Sequence, residues 1–207
     1  VCKTLDGYVV YWFDREGNPL FVIYLNKEDV PRLKEGPVPS SLESIKVAPD
    51  ERLIYLKVDN YKNTIDPASG TVTGIDLENS MLWTMDIEDG SYIDNIIIPE
   101  YEYRFDDNTG VDSYRGIYSL LGAGNGGKVY FMAPQHAGPP RNGYNLFILD
   151  RHTNSRKYGF IPVEDEEQYF SCFNLSPAGI VTALLASEYE LRVVWWRASG
   201  LLGESAY

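Results

Sequence analysis

Helical periodicity is missing from this chain. Over no sustained stretch do apolar residues recur at the i, i+3, i+4, i+7 spacing of a helix face. β-branched and aromatic residues gather instead in short runs bounded by Gly, Pro, Asn and Asp, the composition of strands and their turns. Alanine, the strongest helix former, supplies only 10 of 207 residues. Such a chain forms sheets or stays unfolded, and its apolar content favours sheets. Leu, Ile, Val and Phe total 56 residues, above the roughly 20 % below which charged chains tend to remain disordered. No uninterrupted apolar run exceeds the six residues of Leu20–Leu25, whereas a membrane-spanning helix needs about 18. The expectation is an all-β chain with no membrane span and, at this length, a single domain.

Two units recur along it. The first is a strand, a polar turn often opened by Asp, and a second strand: Gly7–Phe13 then Asp14, Gly70–Ile75 then Asp76, Gly143–Leu149 then Asp150, and Leu191–Trp196 then Arg197. Asp, Asn and Gly suit such turns because the side-chain oxygens bond nearby backbone amides and the residues tolerate positive φ. The second unit places a Pro, Gly or Asp turn between two strands, at Ser44–Asp59, Gly116–Ala133 and Tyr169–Ala186. Joined in order, the units give four-strand modules over about 43–90, 113–163 and 168–207, with residues 1–30 as the second half of an earlier one. Four antiparallel strands per repeat predict a β-propeller with four-stranded blades, about three and a half of them in this chain. A β-sandwich would explain the alternation but not the repeated order of the two turn types.

Closed propellers have about four to eight blades. This chain is therefore expected to be the C-terminal part of a larger propeller, or to complete its ring by self-association. The opening on Val1, with no signal segment before the first strand, fits a removed leader or a longer polypeptide. Two cysteines are too few for a disulfide framework and read as buried free thiols. Ring closure would nonetheless let Cys2 and Cys172 approach.

Some tracts resemble known repeats. Val47-Ala-Pro-Asp50 and Leu175-Ser-Pro-Ala-Gly179 resemble the Ser-Pro-Asp-Gly turn of WD40-, NHL- and related propellers. Gly74–Trp83 resembles the outer-strand motif of the pyrroloquinoline-quinone-type repeat, although Trp83 follows Asp76 by seven residues where that motif has about eight. Ile180–Arg197 is similar to the last blade of NHL-like propeller lipoproteins of spirochaetes. The Trp-Asp dipeptide and Gly-His pair of true WD40 repeats are absent. The resemblance implies an exported protein of the cell envelope or periplasm. It also implies a lipid anchor upstream of Val1, because no lipobox precedes Cys2.

The formal charge is −12, which argues against nucleic acid as a partner, since phosphate binding calls for a basic face. The largest departure from the blade pattern is the insertion at about 88–115, expected as a long loop on the ligand-binding face. There Tyr101, Tyr103, Arg104 and Phe105 collect the residue types of a binding hot spot. A second loop over 133–144 adds His136 and Arg141. Asp106, Asn108 and Asp112 look like an acidic calcium loop, but Val111 stands where an EF-hand has Gly and no Glu closes it. An Asx-rich turn explains them equally, and no metal or cofactor is expected. His152 reads as a structural member of its turn. The run Glu164–Glu167 reads as a solvated connector. No nucleophile elbow, P-loop, dinucleotide fingerprint or metalloprotease motif occurs. These features predict a non-catalytic propeller scaffold presenting its loop face to a protein or glycan. The alternative is a glycan-acting hydrolase or lyase using Asp94, Glu100, Asp106 and Glu164, which requires two carboxyls about 5–9.5 Å apart.

Overall fold

The computed structural model describes residues 2–4, 7–26, 41–48, 50–106, 111–135, 143–162 and 169–201. Among them there is no α-helix, and only Ala198–Gly200 forms a 3-10 turn. The first sheet holds β1 (Cys2–Thr4), β2 (Gly7–Phe13) and β3 (Pro19–Asn26) in that order. The second holds β4 (Ser41–Val47), β5 (Leu53–Ile65), β6 (Val72–Asp86) and β7 (Tyr92–Ile98). A two-stranded hairpin comes after it, β8 (Glu100–Asp106) with β9 (Val111–Ile117). Next comes a four-stranded sheet of β10 (Ser119–Gly124), β11 (Lys128–Gln135), β12 (Gly143–Asp150) and β13 (Ser155–Pro162). The last has three strands, β14 (Tyr169–Leu175), β15 (Ile180–Ala186) and β16 (Leu191–Arg197). Every strand pairs antiparallel with its neighbour in sequence within its sheet, so the all-β antiparallel expectation holds, but only two of the five sheets are four-stranded, and the module expected over 168–207 has three strands among the described residues. The chain divides into two compact units, residues 1–45 with 52–98 and residues 46–51 with 99–207.

In the first unit, Ile54, Leu56 and Val58 of β5 alternate onto one face of their strand and meet Met81, Trp83 and Met85 of β6. Val10 joins them, and all seven are at most 4 % exposed. In the second unit Leu146, Ile148, Ile161 and Val181 pack with Tyr130 and Ala198. Phe170 lies edge-on to Trp196, with ring centroids 5.1 Å apart.

Two expectations need correction. Asp76 opens no turn: it lies inside β6, a strand of 15 residues facing the 13 of β5, and it accepts a hydrogen bond from the Thr64 hydroxyl across the ladder. The hairpin reverses earlier, at Asp66–Gly70, and the next reversal comes at Asp86–Gly90. The insertion at 88–115 is not one long loop either. Its β-branched run Ile96-Ile-Ile98 suits a strand, so β7 completes the second sheet with Ile98 2 % exposed. The rest forms the β8–β9 hairpin.

Four of the turns share one construction. Asp14, Asp66, Asp86 and Asp150 each open a hairpin turn and turn a carboxylate oxygen back onto the loop amides. Asp66 shows the full pattern: Oδ1 accepts from Ala68 N–H at 2.9 Å, Oδ2 accepts from the Ser69 hydroxyl at 2.7 Å, and its carbonyl accepts from Gly70 N–H at 2.8 Å. Gly70 is then at φ +68°, a left-handed conformation costly for residues with a Cβ.

Gly70→Ala should lower stability by about 1 kcal/mol, read as a reduced urea midpoint, because no atom lies within 4 Å of the added Cβ and only the backbone is strained. Gly74→Ala is the control. Its Cβ would meet only Thr64, at 3.9 Å, so the midpoint should hold or rise slightly.

The hydrogen bonds within these turns hold the carboxyls of Asp14, Asp66 and Asp150 below their ordinary value of 3.8. Folding thus favours the ionised form. The contribution is complete above pH 3.8 and fades as the pH falls from there through the lower folded values. Asp66→Asn should therefore flatten the acid limb of a stability-against-pH curve. An unchanged limb would mean that this turn does not sense acid.

Candidate functional site

Among the described residues the last sheet has one strand fewer than the two four-stranded sheets. In those, the third strands β6 and β12 are covered by β7 and β13. Among the described residues β16 pairs only with β15, so its outer ladder edge has no strand against it. The sequence Leu191-Arg-Val-Val-Trp-Trp-Arg197 alternates across this strand. Val194 and Trp196 turn inward, with Trp196 in the second-unit core. Leu191, Val193 and Trp195 turn outward and are 69 %, 68 % and 64 % exposed. Tyr189, in the turn just before, is 88 % exposed. Beside the strand runs an open groove of about 410 Å³ walled by Pro162, Phe170, Leu185 and the Arg192–Trp196 stretch. A bare edge with a row of large apolar side chains is a surface that soluble proteins otherwise blunt or cover.

The residues expected on the binding face are distributed differently. Tyr101 is 7 % exposed, and its ring lies 5.2 Å from that of Tyr118, an edge contact within the second unit. Tyr103, Arg104 and Phe105 continue β8 and pair through their backbones with Tyr114, Ser113 and Asp112. His136 and Arg141 lie outside the described residues, as do Asn108 of the calcium-like tract and Glu164. Asp106 and Asp112 sit near the ends of β8 and β9 that flank residues 107–110. No group of three or more His, Cys, Asp or Glu placed to hold a metal occurs among the described residues. Of the carboxylates weighed for hydrolysis, Asp94 and Glu100 fall in different units.

His152 belongs to the Asp150 turn, as expected. Its backbone N–H donates to Asp150 Oδ1 at 3.0 Å and its Nε2 lies 2.7 Å from Glu51 Oε1. Gly127 sits beneath this pair at φ +68°, where a Cβ would come within 2.8 Å of the imidazole. Cys172 is exposed with a free thiol rather than buried. It occupies the β14 bulge between Ser171 and Asn174 at φ +51°, which breaks the alternation that would have turned it inward.

Sequence reasoning missed a polar cluster in the first unit. Lys57 Nζ donates to both oxygens of Asp59 at 2.7 Å, and Ser80 donates its hydroxyl to Asp59 Oδ1 at 2.5 Å. Lys57 and Asp59 are each 4 % exposed and Ser80 2 %. Charged residues two apart in an otherwise apolar strand lie on one face, and that spacing was the available signal. The trio has the group types of a nucleophile site, but its burial leaves no approach for a substrate, and its role is structural. The chain matches no protein-family model and no curated protein.

Asp59→Ala should destabilise the first unit by roughly 3–5 kcal/mol, because it strands the Lys57 ammonium in the interior. The double change Lys57→Met with Asp59→Leu should recover most of that loss in the same unfolding experiment. If the single and double changes cost the same, the pair does not carry the penalty.

Proposed function

We propose that this chain is a non-catalytic binding scaffold of the β-propeller type, its three- and four-stranded sheets the blades, which docks a partner protein along the outer edge of β16. The supporting observation is the outward row Leu191, Val193 and Trp195 on a strand whose outer ladder edge pairs with no described residue. An extended partner segment adding antiparallel to β16 would take up the backbone groups of that edge. Its alternate side chains would cover the apolar row and enter the groove beside Phe170. Aromatic anchors of this kind carry much of the energy of protein interfaces. An exported location in the cell envelope belongs to the same reading and rests on the resemblance of Ile180–Arg197 to NHL-like lipoprotein blades.

Bait proteins compared on the envelope fraction of the native source test this. The unchanged chain should retain a partner that the double variant Val193→Lys with Trp195→Lys loses, while the unfolding midpoints of the two baits agree. Equal retention by both baits would move the docking surface away from β16. Turnover of a glycan polymer by the purified chain would overturn the non-catalytic part.

A further inference from the structure

A second concavity in the 99–207 part of the chain has a different chemistry. Cross-strand register on the sheet of β10–β13 sets Lys128 opposite Asp150 and Asp150 opposite Ser155, and in the next row Tyr130 opposite Ile148 and Ile148 opposite Lys157. These residues form one wall of a cleft of about 250 Å³. The opposite wall comes from the Ala178–Gly179 turn and the end of the β14–β16 sheet, with Arg197 and Ser199. Three cations thus converge on one small space in a chain whose formal charge is −12.

None of Lys128, Lys157 and Arg197 forms an ion pair with a described residue. The one carboxylate in the lining, Asp150, is engaged elsewhere: its Oδ1 accepts from the backbone N–H groups of His152 and Thr153, both at 3.0 Å. Asp150 still tempers Lys128, its cross-strand neighbour, so the strongest positive field lies toward Lys157 and Arg197.

Tyr130 lies on the floor of the cleft. Its ring packs on Gly124, where a Cβ would approach Cε2 to 2.9 Å, and its hydroxyl reaches toward Gly179, where a Cβ would stand 2.8 Å from the oxygen. Gly179, at φ +77°, therefore serves both the turn and the approach of this hydroxyl. The Tyr130 hydroxyl has no hydrogen-bond partner among the described residues, and burial raises its pKa, so it stays protonated as a donor. Ile148 and the Tyr130 ring give an apolar base, and Ser155 and Ser199 supply hydroxyls at the rim.

We propose that this cleft binds a tetrahedral oxyanion ester carried on one sugar-sized ring, with the oxyanion held by Lys157 and Arg197 and the ring laid over Tyr130 and Ile148. The volume falls just below the range of about 300–1,000 Å³ common for ligand pockets, which suits one ring rather than a longer chain. The guanidinium of Arg197 matches two oxyanion oxygens at once, and the ammonium of Lys157 adds a point charge. Phosphate and sulfate esters share this chemistry.

The test is calorimetric titration of the intact chain with glucose 6-phosphate, glucose 6-sulfate and glucose. One or both esters should bind saturably, and glucose about tenfold more weakly or not at all, since it lacks the charged oxygens that Lys157 and Arg197 would hold. Whichever ester binds more tightly identifies the source of the oxyanion. Lys157→Gln and Arg197→Gln should each weaken ester binding about tenfold, the scale of a hydrogen bond to a charged group, with unfolding midpoints kept. Trp195→Lys should leave it unchanged, which separates this cleft from the β16 edge. Equal affinity for glucose and its esters, insensitivity to both charge changes, or no saturable binding would each overturn the proposal.

Discussion

Strand register across much of this protein depends on side-chain oxygens that turn back onto the loop amides at the first position of five hairpin turns. Asp14, Asp66, Asp86 and Asp150 do this, and Ser176 does it with a hydroxyl that accepts from Ile180 N–H at 3.1 Å. Three or four residues later the chain passes through a left-handed residue, Gly17, Gly70, Gly90, Asn154 or Gly179. The pairing of these two positions fixes loop length, and loop length fixes register. A slip of one residue would exchange the two faces of β5, both of which are buried from Ile54 to Asn60, and set Lys57 and Asp59 against the apolar core in place of Ile54, Leu56 and Val58. The turns therefore decide which face of β5 meets which neighbours.

The same device explains what sequence reasoning reached and what it lost. Turns at Asp14 and Asp150 were legible because the capping residue, the polar loop and the two flanking strands stand together in sequence. Asp76 carries similar letters, Asp with Glu78, Asn79 and Ser80 soon after it, yet lies within a strand because two better turns, at Asp66–Gly70 and Asp86–Gly90, bracket it at hairpin distance. Both end in a glycine at positive φ, whereas Asn79 and Ser80 lie in the β6 ladder. Local letters nominate a turn, and competition for the nearest left-handed residue decides it.

The candidate surfaces were less legible for a related reason. Aromatic and cationic letters in 101–105 pointed to a binding loop, but an aromatic residue in a strand is as well suited to burial, and Tyr101 went to the interior against Tyr118. Leu191, Val193 and Trp195 looked like ordinary outer-strand residues. Their exposure depends on a neighbouring strand, and alternation in one segment carries no information about whether such a neighbour exists. The convergence of Lys128, Lys157 and Arg197 was invisible for the same reason, since it is set by register across β11, β12 and β13 and by the approach of a second sheet.

β16 shows how one strand of seven residues carries three duties by period and position alone. Its even positions, Val194 and Trp196, face inward, and its odd positions, Leu191, Val193 and Trp195, face outward. At Arg197 the ladder with Ile180 ends. The next residue, Ala198, is 1 % exposed and donates its N–H to the Gly179 carbonyl at 3.0 Å. That bond ties the end of β16 to the turn whose glycine accommodates the Tyr130 hydroxyl. Arg197 is thereby placed at the mouth of the cleft, although by alternation it would have continued the exposed row. The positive charge there stems from a turn that had to be a glycine, and the apolar row stems from a strand with no outer neighbour among the described residues.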